Sequence, residues 1–395
     1  MKGVSWTEPD GLWGRNEALW RNPAQVAGLW DGAGSIDPRL LEFYVSGKWW
    51  DTLESAEITL IVSREYEHSL IALGTDGKGN GRVTRWPIPH PSGLAVDRQA
   101  CRLYVASTRN PNQIFEFLPA RGRQERKEAK WRGTGGDKSL VPVGSRFFPG
   151  CLYIHDIALI GRELHANSVG NNSVIRLGND GRFEHVWWPR CIETGSEPSL
   201  GINYLQLNSI AAGNSINESF FSASSERISS RRPGHRNFPV KGRGVIFSGK
   251  TGEPVARGLT RPHSARLHRG RLWVDNSGYG EMGFIDDGKF EAVVRLNGWT
   301  RGLCFHEDIA FLGTSKVIPR FGQYAPGLDI ESSICGIHMV DVRSGEIIGS
   351  LIWPHGNQVF SIEWLPAGCV SGFPLPGNGR TRKVEIEELF YNFRT

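Results

Sequence analysis

From Pro262 to Gly283 the chain reads PHSARLHRGRLWVDNSGYGEMG, and its apolar and polar positions predict two short strands joined by a turn. An alternating run leads from His263 to Leu267, His268-Arg269-Gly270 turns, and Leu272-Trp273-Val274 forms a β-rich run that Asp275-Asn276-Ser277-Gly278 breaks. Met282 to Ile285, a turn at Asp286-Asp287-Gly288 and a run from Lys289 to Leu296 add two more strands. Four strands of this length make one blade of a β-propeller.

The same pattern recurs. A later hairpin appears as SLIALGTDGKGNGRVTRWPI, SVIRLGNDGRFEHVWWP, GVIFSGKTGEPVARGLT, MGFIDDGKFEAVVRL and GIHMVDVRSGEIIGSLIWP, with a degenerate copy in QIFEFLPARGRQERKEAKW. The first strand of the unit recurs as PSGLAVD, HDIALIG, NSIAAG, HSARLH, RGLCFH and FSIEWLP. In register these strands begin at Ser92, His155, Asn208, His263, Arg301 and Phe360, at separations of 63, 53, 55, 38 and 59 residues. A minimal blade needs about 40 residues, so the surplus predicts insertions at Arg121 to Ser145, Ser222 to Arg243 and Lys316 to Glu331.

The group starting at Glu57 has no first strand of its own, and the last first-strand, Phe360 to Leu365, has no blade after it. The expectation is an all-β, six-bladed β-propeller over residues 57–370, closed by the C-terminal strand joining the N-terminal blade, which removes open sheet edges. Residues 1–56 then form an irregular, Trp-rich N-terminal extension packed on the propeller, with one strand at Leu41 to Val45, and residues 371–395 a C-terminal tail. A seventh blade built from residues 40 to 56 and the tail is the alternative.

Composition narrows the class. The 395 residues can bury a large core, and 49 glycines with 14 tryptophans favour many turns and strands over long helices. A net charge of +5 gives no strong nucleic-acid signal. No signal-peptide core and no apolar run of membrane-spanning length is present, which predicts a cytoplasmic protein away from membranes. The six cysteines form no CxxC pair and read as reduced, mostly structural thiols. There is no P-loop, no GxGxxG opening a helix, no GxSxG and no HExxH.

In a propeller the innermost strands line a central channel, and the loops entering them share one face with the loops after the second strands. That face is predicted to gather His155, Asp156, His263 and Arg301 as catalytic groups, the histidines as acid/base groups, Asp156 as their orienter and Arg301 as an anion clamp. His155, Asn208 and His263 could hold one divalent metal ion as the alternative use of the same ring. Asn167, Asn276, Glu281 and Lys316, from the loops after second strands, are the candidate substrate-binding groups, with Ser107, Arg109, Asn171 and Ser315 near them. His90 and His355, each after a proline, read as turn residues. The four histidines His90, His155, His263 and His355 resemble, in the phrase HDIA, the iron ligands of carotenoid-cleaving oxygenases, which implies an iron oxygenase as a minor reading.

The phrases PHSARLHRGRLWVDNSGYGEMGFID, GWTRGLCFHEDIAFLGTSKV, CGIHMVDVRSGEII and VFSIEWLP resemble an uncharacterised family of bacterial propeller-like proteins, from about Leu152 to Leu365. Two departures stand out: Gln206-Leu207-Asn208-Ser209 where the family pattern has His-Leu-Asn-Gly, and Phe360-Ser361 in place of Phe-Asp. More distantly the arrangement is similar to six-bladed lactonases, strictosidine-synthase-like enzymes and streptogramin-type lyases, an analogy of fold that carries no chemistry. Two functions follow as expectations. The first is an enzyme at the channel mouth acting on a small polar or anionic molecule, or a peptide or glycan end, by metal-assisted or histidine-based hydrolase or lyase chemistry. The second is a noncatalytic propeller binding a protein or glycan.

Overall fold

The computed structural model describes residues 23–34, 36–108, 112–123, 138–228, 238–377 and 393–394, apart from 149, 151, 196, 201, 202 and 204. Their apolar runs pair as antiparallel meanders into six large sheets, each the blade of a six-bladed β-propeller. The second blade runs from its innermost strand Pro91–Asp97 through Arg102–Ser107 and Asn112–Pro119 to Leu140–Phe148. The third to fifth repeat that order from Ile154–Ile160, Leu207–Ala211 and Pro262–His268, and the sixth from Trp299–His306. The first blade takes its innermost strand from the far end of the chain. Ser361–Pro366 pairs with Ile58–Arg64, from Ser361 opposite Ser63 to Pro366 opposite Ile58.

The expected closure is therefore present, and the seventh blade is not. Its expected material adds outer strands to existing blades: Tyr44–Gly47 pairs with Ile347–Trp353 of the sixth, and Leu375–Pro376 with the outer strand of the first. The N-terminal strand sits a few residues later than Leu41 to Val45, because Pro38–Leu41 is taken by a short 3-10 helix capped by Asp37. Helix Trp49–Ser55 follows and buries Trp49 and Leu53 in the core shared by the first and sixth blades. The second blade departs from the sequence pattern. Its fourth strand is Leu140–Phe148, which begins inside the expected insertion Arg121 to Ser145 and runs past its end, since the basic run before it lacks the apolar alternation a half-buried strand needs. Residues 124–137 and Arg109 lie outside the described residues.

The blades are joined around the channel by side chains donating to the backbone of the next blade. Ser63 Oγ donates to Ser92 O at 2.6 Å, Ser92 Oγ to Ile154 O at 3.2 Å, and Asn167 Nδ2 to Leu207 O at 3.1 Å. Asn208 Nδ2 reaches Pro262 O at 2.8 Å, Ser277 Oγ Thr300 O at 2.5 Å, and Ser315 Oγ Val359 O at 3.0 Å, which returns the circuit to the first blade. A register shift interrupts the pairing of first and second strands in blades two to six, turning the backbone at the channel. The fit is close: a Cβ added to Gly93 would stand 2.6 Å from Ile157 N.

Two cysteines depart from the expectation of reduced thiols. Cys101, in the first turn of the second blade, is bonded to Cys369, just past the closing strand. Their separation of 268 residues hides the pairing from any spacing argument, and ring closure creates it. Among the described residues Cys191, Cys304 and Cys335 remain free, and no helix is long and apolar enough to cross a membrane.

Ser315 also accepts from Val359 N at 3.1 Å, so Ser315→Ala leaves two backbone groups of the closing segment unpaired. It is expected to lower unfolding free energy by about 2 kcal/mol, measured by denaturant titration. In the sixth blade His338 is buried between Thr314 Oγ1 and Ser350 Oγ, and burial pushes its pKa down to about 4. The unfolded chain binds a proton near pH 6.5 that the folded chain refuses, so this stability is present above pH 6.5 and is lost on acidification towards pH 4. The loss is about 3 kcal/mol. His338→Leu should flatten the pH dependence of the melting temperature in that window.

Candidate functional site

In an antiparallel meander the loops before the first strands and after the second strands fall on one face. That face holds a cavity of about 190 Å³ at the channel mouth. Its floor is made by the first strands, and Lys316, Ile318, Phe321 and Tyr324 of the insertion Lys316 to Glu331 line one wall, with the insertion Ser222 to Arg243 packed behind them. The 3-10 helix Pro319–Tyr324 of one insertion packs its Phe321 and Tyr324 with Phe238 and Val240 of the other and with Trp299.

His155 and His263 both line the cavity, their ring centroids 6.3 Å apart. His263 has its tautomer fixed by the backbone. Nδ1 lies 2.9 Å from Arg261 O, an acceptor only, and 3.3 Å from Ser277 Oγ, whose own proton goes to Thr300 O. The proton is therefore on Nδ1, and Nε2 presents a bare lone pair. Nε2 is buried without a hydrogen-bond partner among the described residues. Burial, then the Arg301 and Arg261 charges, holds the His263 pKa well below its ordinary value, so the ring is neutral.

Arg301 lines the same space, with Cζ 3.4 Å from the Phe360 ring centroid. In the amide orientation that satisfies its neighbours, Gln358 accepts from Arg301 Nη1 and donates to Glu65 Oε2, each at 3.2 Å. Arg301 Nη2 is buried without a hydrogen-bond partner among the described residues, and burial lowers the guanidinium pKa to about 10. Arg261, over the Tyr324 ring at 4.6 Å, and Lys316, donating to Pro354 O at 3.0 Å, bring the lining cations to three. Glu65 is the one carboxylate among the described lining residues. Among the described residues the lining thus carries three cations against one carboxylate, with a guanidinium nitrogen free of hydrogen-bond partners, a lining whose chemistry suits an anion.

The other expected residues go elsewhere. Asp156 orients no histidine. Its Oδ2 accepts from Ile210 N at 3.0 Å and from Arg266 Nη1 at 3.1 Å. Arg266 continues to Glu363, which Arg98 holds at 2.8 Å, and burial raises the Glu363 pKa. These alternating charges fill the channel below the cavity. Asn167 accepts from the backbone of His155 and Asp156, and Asn276 is fixed between Thr260 N and Glu281, so these three candidate substrate groups do not line the cavity. Lys316 does.

Asn208 meets His155 and His263 at a narrower point of the channel, its Nδ2 donating to Ser224 and Pro262 and its Oδ1 unpartnered. Among the described residues no three His, Cys, Asp or Glu side chains cluster to hold a metal ion. The four-histidine iron arrangement does not form. His90 packs on His68 beside Glu65, His355 faces Glu42 at 3.5 Å on the surface, and neither lines the cavity.

Sequence reasoning missed Glu65, Arg261, Tyr153 and Gln358. Arg261 was visible in the repeated dipeptide Thr260-Arg261 and Thr300-Arg301. Glu65 directly follows the second strand, Ile58–Arg64, of the blade whose first strand is borrowed, so the repeat alignment had no place for it.

The chain belongs to the family described as Domain of unknown function (DUF4915), which matches residues 47–371. No curated protein matches it. Among solved structures, a chain of the nidogen/laminin complex superimposes with a TM-score of 0.50 at 12% identity, covering 78% of this chain and 99% of that one. A luciferin-regenerating enzyme gives 0.46 at 12%, over 77% and 89% of the two chains. A gluconolactonase from Xanthomonas campestris gives 0.42 at 12%, over 76% and 86%. Likeness at these identities concerns the fold alone.

Arg266→Met takes from the buried Asp156 carboxylate its partner cation and leaves Glu363 to Arg98 alone. It is expected to cost about 3–5 kcal/mol of stability by denaturant titration, the cost of breaking a buried charge network from one side.

Proposed function

We propose that the cavity is the active site of an enzyme that takes a small anionic organic molecule and transforms it by histidine-based proton transfer, in the hydrolase or lyase class. The observation that carries this reading is the pairing, in one buried space, of an unprotonated, unpartnered His263 Nε2 with an unpartnered Arg301 Nη2. The guanidinium receives the carboxylate or phosphate of the substrate, with Lys316 adding charge, and Nε2 takes a proton from water or from the substrate. His155, 6.3 Å away between ring centroids, stands where it can return a proton to the leaving group.

The site is also gated by charge. The His263 pKa is depressed first by burial and then by Arg301 and Arg261. A bound anion offsets those two charges, so the imidazole becomes a stronger base once substrate is in place.

The test is a turnover screen of carboxylates, phosphate esters and lactones by NMR, run on the wild type, His263→Gln and Arg301→Gln. Conversion of one class is expected. His263→Gln should lower kcat by about 10²–10⁴-fold with little change in KM, and Arg301→Gln should chiefly raise KM. The acid limb of kcat/KM should fall below pH 6.5, and that of kcat at higher pH. Saturable, Arg301-dependent binding with no turnover would leave a noncatalytic binding propeller instead. Stoichiometric metal lost in the His155→Ala/His263→Ala double variant would turn the reading to metal assistance, with Asn208 as the third ligand.

A further inference from the structure

Non-glycine residues with positive φ are uncommon, because Cβ crowds the backbone there. Four of them hold repeat-equivalent places in this chain. His90 (φ 43°), Tyr153 (φ 49°), Gln206 (φ 52°) and Arg261 (φ 52°) each stand immediately before the innermost strand of blades two to five. A turn required by the fold at this place would be served best by glycine, which adopts it without strain. All four instead carry large side chains. His90 and Arg261 also precede prolines, which restricts their backbones further.

The side chains go to the ligand cavity. Tyr153, Gln206 and Arg261 line it, and His90 backs its carboxylate, Nδ1 lying 4.0 Å from Glu65 Oε1. Among the described residues no hydrogen bond holds the Gln206 side-chain amide, and the Arg261 guanidinium rests on the Tyr324 ring. Three of the four strained residues that precede innermost strands thus meet the open space, as expected when a binding surface is held against local backbone preference.

Resting on the proposed anion site, we infer that Tyr153, Gln206 and Arg261 are specificity-determining residues and that the anion is a carboxylate bearing several hydroxyl groups. Arg261 supplies a second fork of donors beside Arg301. Gln206 supplies an amide that donates and accepts, as a hydroxyl requires. Tyr153 supplies a ring for the C–H face of the polyol and a phenol for its edge. A bare inorganic anion would use Arg301 and Lys316 and leave the Gln206 amide unmatched.

The variants Tyr153→Gly, Gln206→Gly and Arg261→Gly remove the side chains while relieving the strained backbone, and they keep the Arg261 carbonyl that fixes the His263 tautomer. Calorimetric titration with D-gluconate, acetate and inorganic phosphate, with thermal unfolding alongside, tests the inference. Wild type is expected to bind gluconate at least 10-fold more tightly than acetate. Each glycine variant should melt at the same or a higher temperature, and gluconate affinity should fall 10-fold or more while acetate binding changes little for Tyr153→Gly and Gln206→Gly. Lower melting temperatures with gluconate affinity within twofold of wild type would show that the three side chains are structural, and would overturn the inference. Arg301-dependent binding of phosphate or acetate without preference for gluconate would sink the hydroxylated ligand and leave the anion site standing. Binding of none of the three anions would overturn both.

Discussion

The circle of side-chain hydrogen bonds around the channel is the constraint on which the molecule depends. Each blade alone is a four- or five-stranded sheet with apolar faces, unstable until its neighbours cover them. Ser63, Ser92, Asn167, Asn208, Ser277 and Ser315 fix the angle at which each neighbour arrives, since each donates to one carbonyl of the next blade. The last of these bonds is made to the C-terminal segment, so the circuit exists only once residues 359–366 have entered the first blade. The Cys101–Cys369 bond, the outer strand Leu375–Pro376 and the charge chain ending at Glu363 all attach to that same segment. Closure and stability are in this sense one event.

The same geometry creates the site. Six polar strand ends turned towards one axis would repel water poorly and each other strongly if all were charged. Below, the chain resolves this by alternating sign, Asp156, Arg266, Glu363 and Arg98 neutralising one another. At the mouth it leaves the balance uneven: Arg261, Arg301 and Lys316 face a lone Glu65. Removing water from cations without supplying carboxylates stores electrostatic free energy that a ligand anion can release. The neutral His263 belongs to that imbalance, since a further positive charge beside the two arginines would be costly.

Much of the fold was legible in the chain. Period-two runs, turn residues and a repeated hairpin identify the blades, and the unmatched strand at Phe360 identifies how they close. The pattern failed in the second blade, where the basic run hides a fourth strand at Leu140–Phe148, and at residues 40 to 56, where strand propensity did not reveal that Tyr44–Gly47 would extend an existing sheet. Register also placed His155, His263 and Arg301 on one face correctly, since equivalent positions of a closed repeat must converge.

The sequence by itself determined the repeat, its closure and the convergence of His155, His263 and Arg301 at the channel, because these follow from local periodicity and symmetry. Only the tertiary structure decided what each side chain does there. Whether Asp156 meets a histidine or Arg266, whether Asn167 meets a ligand or a neighbouring backbone, and whether Arg301 is paired or left bare depend on contacts across 11 to 110 residues of chain. Those contacts depend on the twist between blades, and on strained turns such as that at Arg261, which aims a guanidinium into the cavity while its carbonyl sets the tautomer of His263. Local patterns do not encode such distances. They arise when six sheets are packed about one axis and every buried polar group must find a partner or be left for a ligand.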